Sequence, residues 1–209
     1  VGEAFTKQRQ FVWDASHELK TPLAVISANA QVLEHELGEN EYLGYIVNET
    51  RSMNTLVQNL LTLARMDSSG QKPSFERFDL GCTLLAAALP MEGLAFEHGK
   101  TLEVNVSEGI YCLGNEALIR QLAVILLSNA LEHSGSGAQI SMTLRARGDR
   151  RVFSVHNTLS YIPPEEQKRI FDRFYRSDSS RSGESGGSGL GLAIAKSIVQ
   201  LHRGSIKLE

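Results

Sequence analysis

Two long amphipathic helices joined by a short break constrain this chain more than any other feature. Apolar residues recur at steps of three or four in two stretches, which Gly38-Glu39-Asn40 separates, so we predict an antiparallel helical hairpin. A hairpin alone has almost no core, and we expect a second copy to bury its stripes in a four-helix bundle. This predicts a homodimer. The stripes are Phe11, Ala15, Leu19, Pro22, Ile26, Ala30, Leu33 and Leu37, then Leu43, Ile46, Val47, Thr50, Met53, Leu56, Val57, Leu60 and Leu63.

Composition limits the possible functions only loosely. The chain has 209 residues, 42% of them apolar, a net charge of -3 and a pI near 6.1, which argues against a nucleic-acid surface. Cys82 and Cys112 lack metal-ligand spacing, so zinc is disfavoured, and we expect two small buried thiols in a reducing compartment, with a disulfide as the alternative. No apolar run is long enough to cross a membrane, so we expect no membrane contact by this fragment. Because it starts abruptly and ends in a strand-like run at 205–209, we expect it to be part of a longer protein.

One histidine in the first helix stands out by its position. At about 100° per residue, His17 points roughly away from the apolar stripe, so its imidazole is expected to face water. Thr21 lies one turn later on nearly the same face, and Glu18 is adjacent in sequence. Pro22 lacks an N–H, so we expect the helix to bend there. A zinc-protease motif is excluded because position 21 is threonine.

The second part of the chain mixes strands and helices. From Asp79 the period changes, and helical segments at 116–133 and 190–201 alternate irregularly with strand-like runs, which favours a two-layer α/β sandwich. We therefore predict an α+β chain. Its parts are a helical hairpin at 1–67, a polar linker at 68–79 and an α/β domain at 80–209. The predicted strands are 102–106, 110–113, 140–146 and 152–155.

The segment Phe11–Leu23 resembles the H box of sensor histidine kinases, F-x-x-x-x-S-H-E-L-[RK]-T-P-L. This resemblance implies that His17 accepts a phosphoryl group from ATP and that Glu18 acts as the general base. It also implies that Thr21 orients a water molecule in the reverse, phosphatase activity. The partners implied are a second copy of the hairpin and the receiver domain of a response regulator.

The second domain resembles the ATP-binding domain shared by histidine kinases, Hsp90, MutL and DNA gyrase. Leu126–Ser134 resembles the N box, Arg169–Arg176 the F box, and Gly186–Leu192 the glycine-rich G2 box. His202–Ile206 resembles a closing H-G-G-x-I motif, with Arg203 in place of one glycine. The resemblance implies ATP and Mg²⁺ as cofactors, with Asn129 as the metal ligand. The implied nucleotide-binding residues are Asn129, His133, Asn157, Ile162, Phe174, Gly187, Gly189, Leu190, Gly191 and Leu192.

The box expected around adenine departs from the family pattern. The usual D-x-G-x-G-I-P is replaced by a segment in which Asn157 stands for the aspartate, and Leu159 and Tyr161 stand for the glycines. A neutral amide oxygen still accepts a hydrogen bond, but more weakly than a carboxylate. In the N box, Ile125 replaces the first asparagine, and Glu132 stands where a basic residue is common. These changes predict weaker ATP binding.

Three functions of different class remain open from the sequence. The leading one is an active ATP-dependent histidine kinase core. The second is a degenerate relative that binds nucleotide poorly and acts as a phosphatase or dimeric scaffold. The third is an ATPase of the Hsp90 or MutL kind without transfer to histidine, which the H box disfavours. The family further implies that the chain is the cytoplasmic portion of a bacterial inner-membrane protein.

Overall fold

The chain folds into two compact units, one helical and one α/β. The computed structural model describes residues 2–38, 40–67, 73–158, 161–176 and 188–208, with side chains described from Leu19 onward except at 37, 65 and 67. The helical unit comprises residues 1–71 together with 186–190, and the α/β unit comprises 72–185 and 191–209. The predicted α+β class is confirmed.

The helical unit consists of α1, Gly2–Leu37, and α2, Glu41–Asp67. The break between them is a helix cap, because Asn40 Oδ1 accepts the N–H groups of Tyr42 at 3.0 Å and Leu43 at 3.2 Å. Gly38 has φ 73°, the left-handed conformation that glycine adopts without strain. The α1 helix stays helical through Pro22.

Only part of each predicted stripe is buried within one chain. A small core forms from Leu23, Val57 and Leu61, with Ala30 also buried. Pro22, Leu19, Ile26 and Leu33 remain exposed within one chain, the last three at 43–47%, so their burial in the predicted four-helix bundle stays a prediction. One helix covers only a narrow strip of its neighbour. In α1, the strip that α2 covers lies beside the centre of the predicted apolar stripe. In α2, the stripe residues Leu43, Val47, Thr50, Val57 and Leu63 are buried within one chain, whereas Ile46 and Met53 are exposed.

The described residues of the α/β unit form two small sheets. Antiparallel β1 and β3 form one sheet, and the other has the order β2-β4-β5, with β2 parallel and β5 antiparallel to β4. Strand β1 was not predicted, and the predicted linker overlaps it, so the α/β unit begins before residue 80. The strands are β1 Glu76–Asp79, β2 Thr101–Asn105, β3 Tyr111–Gly114, β4 Gln139–Arg147 and β5 Arg150–Asn157.

Helix α3, Leu80–Glu97, was also missed by the sequence analysis. Its N-cap Asp79 accepts the N–H groups of Cys82 at 3.2 Å and Gly109 at 2.7 Å. The hydrogen bond from Gly109 holds the pKa of the Asp79 carboxyl below its ordinary value. The cap therefore fastens α3 to the turn before β3. The other helices in the part of the chain that the structure describes are α4 Glu116–Glu132, α5 Pro164–Gln167 and α6 Gly191–Leu201.

The core lies between the three-stranded sheet and helices α3 and α4. Ile140, Met142 and Leu144 alternate along β4 and pack with Leu84 of α3 and Leu127 of α4. Helices cover one face of the sheet, which is the two-layer arrangement that the sequence predicted.

Among the described residues, α3 is the one helix that is both long enough and apolar enough to cross a membrane, with a mean hydropathy of 1.3. Several of its side chains, including Leu80 and Leu84, belong to the core, so we interpret it as a core helix. Cys82 in its first turn is exposed and Cys112 is half-buried, so the prediction of two buried thiols was wrong for Cys82.

Helix α6 ends in a Schellman motif. The N–H of Gly204 donates to the carbonyl of Val199 at 2.8 Å, and that of Arg203 to Gln200 at 2.9 Å. Arg203 occupies the left-handed position, with φ 56°, where the related motif has glycine. Residues 204–208 form no strand, so the strand-like run predicted there was wrong. Apolar alternation alone does not supply the neighbouring strand that a ladder requires.

We predict that Arg203→Gly stabilises the chain by about 0.5–1 kcal/mol. The substitution removes left-handed strain of about 1 kcal/mol or more, and the greater backbone freedom of glycine in the unfolded chain offsets part of this gain. Urea unfolding measures the free energy of unfolding. Arg203→Ala is the matched control, because it removes the same long side chain but keeps Cβ. A glycine variant no more stable than the alanine variant would contradict the prediction.

Candidate functional site

Helix α4 positions Asn129 in its last turn. The helix begins at a cap in which Asn115 Oδ1 accepts the Leu118 N–H at 3.0 Å. At its other end, the N–H of His133 donates to the Asn129 carbonyl at 3.0 Å. The Asn129 side chain is half-buried, and that of His133 is exposed. The asparagine is therefore held on a rigid helix with its amide partly accessible.

The start of α6 lies against the same helix. A Cβ placed on Gly191 would be 3.4 Å from Ile125 Cγ2, so the two backbones approach closely here. Ile125 and Asn129 are four residues apart and share one face of α4. The face that carries Asn129 therefore meets α6 at the helix end where the glycine-rich segment enters. Ile125, interpreted from the sequence only as a lost polar contact, provides apolar packing between the two helices.

The glycine-rich segment has the backbone that its sequence requires. Gly189 has φ 67°, in the left-handed region that favours glycine. Leu190 is buried, and Gly191 and Leu192 are half-buried at the start of α6. N–H groups at such a helix start have no partner within the helix and attract phosphate. Gly187, the remaining predicted residue of this segment, lies outside the described residues.

The altered adenine box begins where β5 ends. Asn157 is half-buried and pairs with Ile140 of the core. The ladder continues for one residue, because Thr158 Oγ1 accepts the Gln139 N–H at 2.9 Å and the Thr158 N–H donates to the Gln139 carbonyl at 3.0 Å. Leu159 lies outside the described residues. Ile162 is half-buried, and Tyr161 is 79% exposed.

Phe174 has an unusual backbone. Its φ is 62°, which is uncommon for a bulky residue, and its side chain is 61% exposed. The neighbouring Tyr175 packs under the guanidinium of Arg169, 4.6 Å from the ring centre. Strained backbone is often found at functional sites, but the predicted nucleotide contact of Phe174 stays a prediction.

The predicted phosphoacceptor lies within α1. His17 and Glu18 are both helical, and their side chains fall outside the described part of the molecule. Thr21 is exposed, as are Leu19 and Lys20. Positions 17 and 21 are four residues apart and are therefore adjacent on one face of α1.

The residues present fit a magnesium ion shared with a nucleotide. The described residues hold no group of three or more His, Cys, Asp or Glu that could bind a metal by itself. Mg²⁺ prefers oxygen ligands, keeps several waters and commonly binds through few protein groups together with substrate phosphates. The amide oxygen of Asn129 is therefore suited to hold it beside nucleotide phosphates.

Comparison with known families agrees with this architecture. Residues 7–69 match the model described as the His Kinase A (phospho-acceptor) domain. Residues 114–209 match the histidine kinase-, DNA gyrase B- and HSP90-like ATPase. The chain belongs to the histidine kinases. The resemblance found in the sequence is thus confirmed, and the α/β unit is an ATPase domain of this family.

Relatives and solved structures extend the match over nearly the whole kinase chain. The chain is 38% identical to the sensor protein DltS of Streptococcus agalactiae over 207 residues, and the alignment covers 99% of this chain and 52% of the relative. It is 33% identical to the sensor histidine kinase RppB of Synechocystis, covering 100% and 47%. The structure of full-length ShkA in complex with AMPPNP has a TM-score of 0.78 at 26% identity, covering 95% of this chain and 42% of that one. The chain spans about half the length of these curated relatives.

We predict that Gly189→Ala weakens ATP binding by the kinase chain about five- to tenfold. An alanine at this left-handed position costs about 1 kcal/mol or more, which disfavours the backbone conformation that the loop needs to bind phosphate. Titration calorimetry with ATP and Mg²⁺ measures the dissociation constant.

Gly148→Ala is the matched control, because Gly148 has φ 57° in the β4–β5 turn with open space around its Cβ position. That variant should lose stability but keep ATP affinity. Equal losses of affinity in both variants would contradict a specific role of Gly189.

Proposed function

We propose that this chain is the catalytic core of a sensor kinase that transfers the γ-phosphoryl group of ATP to His17. The observation that carries the proposal is the combination of an H-box helix with an α/β unit in which the Asn129 helix packs against the start of α6. An ATPase without histidine transfer would have no use for the first of these features.

The chemistry assigned to the residues is a single displacement. A ring nitrogen of His17 forms a bond to the γ-phosphorus, the bond from that phosphorus to the bridging oxygen breaks, and ADP leaves. Glu18 takes the proton from the other imidazole nitrogen, which keeps positive charge from building on the ring. Bound Mg²⁺ supplies neutralisation of phosphate charge, so the protein mainly positions the reactants.

A response regulator is the proposed second substrate. The phosphoryl group would pass from His17 to an aspartate of its receiver domain. In the reverse activity, Thr21 would orient a water molecule toward the phosphoaspartate, and its exposed position one turn from His17 supports this role.

The exposed apolar residues of the hairpin support a homodimer. Leu19, Ile26 and Leu33 form a continuous row along α1 that the chain itself leaves 43–47% exposed. Beside them, Leu23 and Ala30 are already buried against α2. A row of this kind next to an existing core is what a second hairpin would cover in a four-helix bundle. Because the relatives are sensors about twice as long, we further propose a membrane-anchored bacterial parent with this chain on the cytoplasmic side.

Three substitutions in the sequence favour the degenerate alternative. Asn157 replaces an anionic hydrogen-bond acceptor for adenine, and Ile125 and Glu132 replace polar or basic contacts. Each change weakens binding without removing the helices that form the site. We therefore expect ATP affinity to be lowered but measurable, with phosphatase or scaffold activity as the outcome if it is not.

Incubation with γ-labelled ATP and Mg²⁺ tests the proposal directly. We predict acid-labile label on the native chain and none on His17→Ala, because only an imidazole nitrogen at this position can form the phosphoramidate. His35→Ala is the matched control, since His35 lies in the last turn of the same helix outside the H box, and it should label normally. Label that survives His17→Ala would contradict the assignment, and an unlabelled native chain with undetectable ATP binding would favour the degenerate alternative.

A further inference from the structure

His202 directly follows α6 and is held there in one tautomer. Its Nδ1 lies 2.8 Å from the carbonyl oxygen of Ile198, and its Nε2 lies 3.0 Å from the backbone nitrogen of Asn115. A carbonyl can only accept a hydrogen bond and a backbone N–H can only donate one. The hydrogen therefore sits on Nδ1, and Nε2 offers its lone pair to Asn115. Only the neutral ring satisfies both partners.

The same ring contacts the segment that leads in from the hairpin. Phe75 stacks on His202 with ring centres 4.8 Å apart and an interplanar angle of 14°. The Asn115 side chain donates to the Ser74 carbonyl at 3.2 Å. On another side, a Cβ placed on Gly114 would lie 2.6 Å from the imidazole. The histidine thus fills a close-fitting position between three segments far apart in sequence.

Each of these segments connects to part of the proposed machinery. The α6 helix begins at the glycine-rich segment, and α4, which follows Asn115, carries Asn129 in its last turn. Ser74 and Phe75 are the stretch through which the chain passes from the His17 hairpin into the α/β unit. His202 contacts all three segments. It therefore fixes the position of Phe75, close to the point at which the linker enters the nucleotide-binding unit.

We propose that Phe75, Asn115 and His202 form a linker clamp in which His202 is a positioning residue for phosphoryl transfer. The inference rests on the proposed transfer from ATP to His17. The clamp touches no reacting atom. It sets the direction of the linker, and thereby the frequency with which bound ATP and His17 reach a reactive arrangement.

The position of the clamp predicts a rate effect without an affinity effect. Gly191 is the first residue of α6 and His202 follows its last, and the 11 residues of this helix span about 16 Å at 1.5 Å per residue. Phe75 is 38% exposed, so its truncation opens no large cavity in the core. ATP binding should therefore survive loss of the clamp.

The test measures both the rate of His17 phosphorylation at saturating ATP and the ATP dissociation constant of the full chain. We expect Phe75→Ala and His202→Ala each to lower the rate about tenfold, with the dissociation constant changed less than twofold. The double variant should be no slower than the slower single variant, because both remove the same contact. Gly114→Ala, whose methyl group would displace the imidazole, should lower the rate in the same way.

Two further variants separate positioning from general damage. Phe75→Tyr keeps the stacked ring and should keep the native rate. Phe96→Ala removes a ring that is 84% exposed on α3 and should also leave the rate unchanged. Native rates in both Phe75→Ala and His202→Ala would overturn the clamp, as would equal losses of rate and ATP affinity. A native chain that takes up no label would instead contradict the proposed function and, with it, the positioning role.

Discussion

The contact between α4 and α6 is the interaction on which the proposed nucleotide site depends. It brings the face of α4 that carries Ile125 and Asn129 against Gly191, where a side chain would leave little room. The glycine-rich segment and the asparagine come from parts of the chain about sixty residues apart, and neither alone forms a site. The close approach of Gly191 to Ile125 supports the proposal that this end of α4 holds phosphate and Mg²⁺.

Much of the fold could be predicted because it is periodic or locally signalled. The two helices of the hairpin, the break before Asn40 and four of the five strands follow from spacing of apolar residues and from cap chemistry. Helix α3 was missed because apolar residues surround it on nearly all sides, with Leu89 and Phe96 exposed beside the buried Leu84. Strand β1 was missed because its four residues include one apolar side chain, Phe78.

The sequence predicted which residues form the candidate site, but not how the elements that carry them pack against one another. The resemblance named Asn129 and the glycine-rich segment, which lie within the residues matched to the ATPase family, and their contacts with a nucleotide stay predictions. The role of Ile125 in packing emerged only from the structure. The linker clamp depends on a hydrogen bond between Asn115 and His202, 87 residues apart in sequence. No local pattern reports such a bond, because it arises when separate elements meet. Arg203 is an example in which a local pattern did succeed. The related H-G-G-x-I motif has glycine at this position, and the structure shows that the end of α6 requires a left-handed backbone there.

The most direct test of the central claim is the effect of Mg²⁺ on ATP affinity, measured by titration calorimetry in the native chain and in Asn129→Ala. If α4 and α6 together hold a Mg²⁺-bound nucleotide, the native chain should bind ATP about tenfold more tightly with Mg²⁺ than with a chelator. Asn129→Ala should lose most of that difference and retain the weaker, metal-independent binding. Equal affinity with and without Mg²⁺ in the native chain, or an unchanged difference in Asn129→Ala, would contradict the account.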